Sequence, residues 1–160
     1  ATSGWNYGER TMKKLLILML LGVLFVPTAA MAQEITSCSS PKGKSFYHKG
    51  REWTDDKLTS GVFTFKRIGD GFDMLYVDGR KRITSSKDDG AQVFLMRRGP
   101  KDATFLVVYP QDAISLYTIW QDSDGTAWMD MLQSKGGFSF VHKSGMLIGT
   151  CGSINWSVFE

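Results

Sequence analysis

Hydrophobic and polar positions alternate with a period of two through most of the chain beyond residue 60. Clusters of glycine, proline and aspartate interrupt the alternation at intervals of roughly 8–12 residues, a spacing typical of all-β sandwiches and barrels. Dipeptides such as Asp-Gly and Gly-Gly suit the positive φ angles of tight hairpins. The pattern predicts nine strands, at residues 61–68, 72–78, 80–86, 91–98, 103–109, 114–121, 126–133, 138–142 and 146–151.

The alternation also predicts a register for two hairpins. Pairing centred on Asp70 places Phe63 and Phe65 on one face with Val77 and Leu75. Met74 and Tyr76 then fall on the opposite face. Pairing centred on residues 123–124 gives a second, mostly apolar face made of Leu116, Thr118, Trp120, Met131, Met129 and Ala127.

Short local connections between successive strands favour an all-β fold, a single antiparallel up-and-down meander closed into a barrel of about eight strands. A two-sheet β-sandwich is the alternative. Residues 33–44 have the composition of a polar lead-in, and residues 54–57 are compatible with the start of a short helical turn. No segment beyond residue 32 has a convincing helical period.

A signal peptide is predicted at residues 12–32. Met12 and two lysines precede an uncharged apolar run of twelve residues, Pro27 ends it, and Ala30-Met31-Ala32 forms an A-x-A cleavage site. The alternative is a membrane anchor, but twelve residues rise only about 18 Å as a helix, against a hydrocarbon core of about 30 Å. Cleavage near Ala32 would leave no transmembrane anchor and a single β domain at residues 33–160, periplasmic or secreted. The signal resembles bacterial ones. Residues 1–11 are interpreted as an upstream leader that is either non-native or the result of a mis-set start.

The two cysteines, Cys38 and Cys151, lie near the two ends of the predicted domain. An even cysteine count in an exported protein favours a disulfide bond, which would join the lead-in to the last strand and help seal an edge. Ile35-Thr36-Ser37-Cys38 loosely resembles a lipobox, so lipidation of Cys38 is the alternative. Glu34 and the distance from the apolar run disfavour it.

The composition is that of an ordinary folded protein of 160 residues, 42% of them hydrophobic and 22% charged. The formal net charge is +3, with 19 basic and 16 acidic residues. Removal of residues 1–32 takes away three basic residues and one acidic residue, which brings the domain close to neutrality. Nucleic acid is therefore not expected as a partner.

The sequence contains no phosphate-binding loop, nucleophile elbow, zinc-protease motif or Cys-x-x-Cys pair. Its two histidines, His48 and His142, have no recognisable catalytic partners. Residues 122–125, Asp-Ser-Asp-Gly, are too few to wrap a calcium ion and are predicted to form a hairpin turn. We therefore expect no enzyme activity, no cofactor and no metal.

Two surface constellations are candidate binding sites. If residues 89–90 form a hairpin, the cations at the start of one strand and the end of the next lie side by side as a rim for an anion or an acidic partner. The members of this basic rim are Arg80, Lys81, Arg82, Arg97, Arg98 and Lys101. Tyr117, Ile119 and Trp128 form a possible aromatic patch, with core packing as the alternative interpretation.

These observations favour non-enzymatic binding of a small apolar or amphipathic ligand inside an exported β-barrel. The alternative is a protein-binding module of the envelope, such as an inhibitor of a cell-wall-degrading or proteolytic enzyme. The ligand, the partner and the oligomeric state do not follow from the sequence.

Overall fold

The computed structural model describes residues 31–59, 61–78, 80–137 and 139–160. The predicted signal sequence therefore lies outside the described residues, apart from its last two positions. The described chain forms ten antiparallel strands and a C-terminal 3₁₀ helix (Trp156–Phe159). The strands are β1 (Gln33–Tyr47), β2 (Glu52–Lys57), β3 (Val62–Ile68), β4 (Gly71–Val77), β5 (Ile83–Ser85), β6 (Gln92–Arg98), β7 (Asp102–Tyr109), β8 (Ala113–Gln121), β9 (Ala127–Lys135) and β10 (Lys143–Cys151).

All ten strands belong to one sheet, so the all-β antiparallel prediction is confirmed and the described strands do not form a two-sheet sandwich. The order across the sheet is β5-β4-β3-β1-β10-β9-β8-β7-β6, and β2 pairs with residues 42–47 of β1. The sheet curls through 251° into an open half-barrel. Apart from β2, and from β5 and β6 at the two edges, strands that are consecutive in sequence pair with each other, as expected for a meander.

The predicted lead-in is a strand. β1 is 15 residues long, and it pairs with β10 on one side and with β3 and then β2 on the other. Gly43 permits the approach to β10, because a Cβ there would lie 2.0 Å from the Met146 carbonyl oxygen. The helical turn suggested for residues 54–57 is wrong, since those residues belong to β2.

Both predicted hairpin registers are wrong by one residue. In the first hairpin Ile68 pairs with Gly71 across a two-residue turn, so Phe63 faces Tyr76 and Phe65 faces Met74. Because side chains alternate along a strand, a slip of one residue exchanges the two faces.

The second hairpin shows the same slip. Tyr117 pairs with Met131 and Ile119 with Met129, and these four side chains point into the half-barrel. Trp120 and Trp128, one register position away, lie on the outside.

The predicted strand at residues 138–142 is also wrong. Residues 139–142 are irregular, and β10 begins at Lys143 instead of Met146. The other predicted strands beyond residue 60 match observed strands to within a few residues.

One end of the half-barrel, the lower end, is filled by aromatic side chains. Phe65 and Phe105 stack with their ring centroids 5.0 Å apart, and Phe72 meets Phe105 edge-on at 5.6 Å. Phe159 of the 3₁₀ helix packs against this group, and Arg67 donates a 2.6 Å hydrogen bond to the Val158 carbonyl oxygen. The 3₁₀ helix therefore closes the lower end.

The predicted disulfide is present. Cys38 and Cys151 are register partners in β1 and β10, with an S–S distance of 1.98 Å. The bond leaves no thiol on Cys38 for lipidation. It joins two central strands, so the expectation that it seals an edge is wrong: the edges belong to β5 and β6.

The two edges of the sheet approach each other along a seam. Here β4 contacts β6, and the segment from residue 86 to residue 91 crosses between them. Ser86 N–H donates to the Met74 carbonyl oxygen at 2.8 Å, and the Tyr76 hydroxyl donates to the Asp89 carboxylate. These bonds fasten the crossing segment to β4.

Candidate ligand-binding cavity

A cavity of about 400 Å³ opens at the upper end of the half-barrel, opposite the 3₁₀ helix. The apolar part of its lining includes Leu58, Phe63, Met74 and Met131. Its polar part includes Tyr76, Tyr109, Tyr117, Ser115, Gln133, Asp78, Asp89, Asp112, Lys135 and Lys143. This volume lies within the range of small-molecule sites, roughly 300–1,000 Å³.

The lining changes from apolar to polar along single strands. On β9 the inward positions are Met129, Met131, Gln133 and Lys135 in ascending order, and Met129 is fully buried. Every second residue of a strand points to the same face, so these side chains form one column from the core to the mouth. The cavity is therefore amphipathic along its axis.

Tyr76 links the mouth to the seam through its hydrogen bond to Asp89. Burial and this bond to a carboxylate raise the pKa of Tyr76, and burial raises the pKa of Tyr117. Burial also raises the pKa of Tyr109. All three phenols therefore stay neutral over the ordinary pH range and remain hydrogen-bond donors.

Asp56 of β2 forms an ion pair with Lys143 of β10 at the mouth, and the two side chains are only 10% and 11% exposed. Ser45, fully buried in β1, donates a 2.7 Å hydrogen bond to the same carboxylate. Burial by itself raises the pKa of Asp56, but the hydrogen bonds from Lys143 and Ser45 and the Lys143 charge outweigh burial and lower it. Lys143 is thus already neutralised by a protein carboxylate.

Lys135 lies directly opposite Lys143 in the β9–β10 register. Burial and then the Lys143 charge lower the pKa of Lys135, while the charges of Asp112 and Asp56 act in the other direction. Within residues 31–59, 61–78, 80–137 and 139–160, no carboxylate is within 4.0 Å of the Lys135 ammonium. Like charges directly opposite each other in a sheet are destabilising, so this arrangement is costly to the fold.

The structure does not bring the six residues of the basic rim together. Arg98 donates to the Phe159 carbonyl oxygen at 3.0 Å, and Phe159 stacks on Phe72 near the start of β4. Arg82 instead pairs with Asp78, just beyond the other end of β4, at 2.9 Å. β4 has seven residues, and a strand of that number is about 20 Å long. Arg98 and Arg82 are therefore separated by about the length of β4.

The six cations are not brought together because residues 89–90 do not form a hairpin between paired strands. β5 descends from the upper end along β4, and β6 descends as well, since its upper residue Gln92 pairs with Val108. The cations Arg80, Lys81 and Arg82 therefore stay at the upper end, and Arg97, Arg98 and Lys101 lie at the lower end. Arg97 is bound to Asp102 at 3.1 Å.

The proposed aromatic patch is not a surface. Tyr117 is 3% exposed and Ile119 is 0% exposed, so both are core residues. Trp128 lies on the outer face, where it stacks on Trp120 and donates a 3.0 Å hydrogen bond to Asp122.

The remaining sequence candidates lie outside the cavity. His48 and His142 are exposed, and a backbone hydrogen bond of 3.1 Å joins them. Asp122 and Asp124 accept hydrogen bonds from the Thr126 N–H at 2.9 and 2.8 Å, so residues 122–125 form the predicted hairpin turn. In the described part of the chain, no group of three or more His, Cys, Asp or Glu side chains could hold a metal ion.

The mouth residues were missed by sequence reasoning, although a signal for them exists. Tyr76, Gln133 and Lys135 occupy the same alternating positions as core residues of their own strands. A polar residue in a core column is unusual, but the column can be recognised only when the register is right.

The outer face carries a row of apolar residues in register across five strands. The row consists of Phe94, Leu106, Leu116, Leu132 and Met146. Nearly half of the Phe94, Leu132 and Met146 surfaces is exposed. Trp53, 65% exposed, borders the same groove as Leu132 and Met146.

Comparisons of the chain with protein-family models, with curated proteins and with solved structures find no match. None of the helical segments among the described residues is long and apolar enough to cross a membrane.

Proposed function

We propose that this chain is an exported binding protein that holds a small amphipathic ligand in the cavity at its upper end. The observation that carries the proposal is the change from apolar to polar lining along the cavity axis. Phe63, Met74 and Met131 offer an apolar floor, and Gln133 and Lys135 offer polar groups at the mouth. A ligand with an apolar tail and a polar head matches this order.

The proposal is non-enzymatic. His48 and His142 are exposed and lie outside the cavity lining. The tyrosines of the lining stay neutral because burial raises their pKa values. The lining thus offers hydrogen bonds and charge to a ligand.

The export part of the proposal rests on the sequence of residues 12–32 and on the Cys38–Cys151 disulfide, since such bonds persist in oxidising compartments. The proposed location is the periplasm or the medium of a bacterium. Full closure of the barrel also belongs to the proposal. The contact between β4 and β6 along the seam supports it.

Intact mass spectrometry of the natively purified protein tests the proposal. We expect a denatured mass that fits cleavage after Ala32 and one disulfide, and a native mass that exceeds it by a small molecule. Ser115→Leu, which fills the cavity, should abolish the excess, whereas Ser134→Leu on the outer face should keep it. A native mass without excess, together with no binding of apolar probes, would contradict the proposal.

The row of apolar residues on the outer face favours a second candidate, a protein-binding module such as an inhibitor of a cell-wall-degrading or proteolytic enzyme. Exposed apolar surface of this kind is a common feature of protein interfaces. This candidate predicts inhibition of a muramidase or a protease, relieved by Leu132→Arg and unaffected by Ser115→Leu. The ligand-binding proposal predicts the opposite pattern for the bound small molecule: Ser115→Leu should abolish its binding, and Leu132→Arg should leave it unchanged.

A further inference from the structure

The charges at the cavity mouth are unequally compensated. Lys143 forms an ion pair with Asp56, and Asp78 forms one with Arg82. Asp89 accepts a hydrogen bond from the Tyr76 hydroxyl. Lys135 remains half-buried in the lining with no carboxylate within ion-pair distance in the described ranges. It also faces the Lys143 side chain across the β9–β10 pair.

A bound anion would reduce the unfavourable electrostatic energy of the half-buried Lys135 charge opposite Lys143. It would place a countercharge within ion-pair distance of Lys135 in a site that is partly shielded from water, where a charge-assisted hydrogen bond is stronger than at the surface. Gln133, one inward position below Lys135, also lines the cavity, and its amide donates a 3.3 Å hydrogen bond to the Ser115 hydroxyl. The Lys135 ammonium is thus the group that can receive oxygen atoms that carry negative charge.

The number of charges available sets the kind of anion. Asp78, Asp89 and Asp112 also line the cavity, and Lys143 is already paired. Among the described residues of the lining, Lys135 is the one cation without a carboxylate within ion-pair distance. A dianionic phosphate would bring more negative charge than this cation balances, and like charges at a binding site disfavour the ligand. A monoanion matches the single charge of Lys135.

We propose that the ligand is a small apolar carboxylic acid in its ionised form, with its carboxylate bound to Lys135 and its tail against Met131, Met74 and Phe63. This inference rests on the proposed function, because it specifies the head group of the ligand in the same cavity. It makes Lys135 the residue that determines specificity for the anion. The apolar floor determines affinity for the tail.

Calorimetric titration of the purified full-length protein with three ten-carbon probes, decanoate, decan-1-ol and decylamine, tests the proposal at neutral pH. The probes share a tail and differ only in the head group. We expect decanoate to bind roughly tenfold or more tightly than decan-1-ol, since hydrogen bonds to charged groups contribute about 1.5–3 kcal/mol. Decylamine should bind most weakly, because its cation meets Lys135.

Lys135→Met should lower the affinity for decanoate by about tenfold or more and leave the affinity for decan-1-ol within about twofold. Lys135→Arg should retain the preference for decanoate. Lys101→Met, which removes a lysine from the exposed lower end, is the matched control and should change neither affinity.

The outcomes separate this inference from the proposed function. Equal binding of decanoate and decan-1-ol, unaffected by Lys135→Met, would overturn the anionic head group and leave the binding cavity intact. No binding of any probe would overturn both. A preference for decanoate that survives Lys135→Met would also overturn the assignment, because another residue would then hold the anion.

Discussion

The two ends of the half-barrel are built from the same strands, but the lower end is filled by side chains and the upper end is open. At the lower end, inward side chains such as Phe105 and Phe65 fill the space, and the 3₁₀ helix covers them. At the upper end, the inward positions of the same strands are occupied by Tyr109, Ser115 and Lys135, and about 400 Å³ stays open. The difference supports the proposal that one end supplies stability and the other supplies a binding site.

The upper end keeps features that the lower end avoids. Lys135 and Lys143 are opposite each other, and Asp56 is nearly buried. Such groups reduce stability unless they are paired, so they are expected where function requires them. Substitutions at the two ends should therefore change the free energy of unfolding by different amounts and, at Lys135, with the opposite sign. Four predictions follow, from the largest effect to the smallest.

Phe105→Ala should lower the free energy of unfolding by about 3–5 kcal/mol, because it removes a ring that is 1% exposed and in contact with three other aromatic rings. Tyr109→Phe, on the same face of β7 at the upper end, should cost less than about 1 kcal/mol. Urea unfolding measures both. Losses of similar size would contradict the division of the two ends.

Replacement of both Cys38 and Cys151 by serine should lower the free energy of unfolding by about 2–4 kcal/mol. The disulfide closes a loop of 113 residues and joins the two central strands between the ends. Unfolding in urea, compared with wild type under oxidising conditions, measures the loss. Wild type treated with reductant should match the variant, and no change in either would show that the bond is not formed.

Asp56→Asn should lower the free energy of unfolding by about 1–3 kcal/mol at neutral pH, because it leaves the Lys143 ammonium without its countercharge. Adding Lys143→Met should restore most of the loss. The pKa of Asp56 is lowered in the folded protein, so its contribution is present above the ordinary value of 3.8 and is lost as the pH falls below it. Unfolding curves of wild type and Asp56→Asn should therefore converge in acid, and a constant difference would contradict the ion pair.

Lys135→Met should raise the free energy of unfolding by about 0.2–1 kcal/mol at neutral pH, because it removes a charge directly opposite Lys143. Burial and Lys143 lower the pKa of Lys135, so the penalty is present when the lysine is charged in both states. It disappears as the pH rises from the lowered pKa towards the ordinary value of 10.5. Thermal unfolding at neutral and alkaline pH measures this gain, and Lys101→Met should show no such pH dependence.

The strands beyond residue 60 could be predicted because local signals specify them. In β7 and β8 the alternation is regular and Pro110-Gln111-Asp112 marks the turn between them. β1 has no such signal, since Pro41, Gly43 and two lysines interrupt it. Pro41 is tolerated because it lies where the β1–β10 register shifts, and pairing with three other strands stabilises the rest of β1.

The site could not be predicted because it depends on register and on contacts across the seam. The turn at Gly69-Asp70 contains two residues, with Gly69 at φ 58°, and a sequence that also offers Gly71 permits a longer turn. That single residue decides whether Met74 and Tyr76 face the cavity or the solvent. The disulfide, in contrast, required only the count and location of two cysteines.

Methyl NMR of the methionines, recorded while decan-1-ol is added, tests the central claim most directly. Met74 and Met131 line the cavity, Met129 lies in the closed core, and Met146 belongs to the apolar row on the outer face. We expect the Met74 and Met131 methyl signals to shift with saturation, while those of Met129 and Met146 stay in place. Shifts confined to Met146, or none at all, would contradict a ligand site at the upper end.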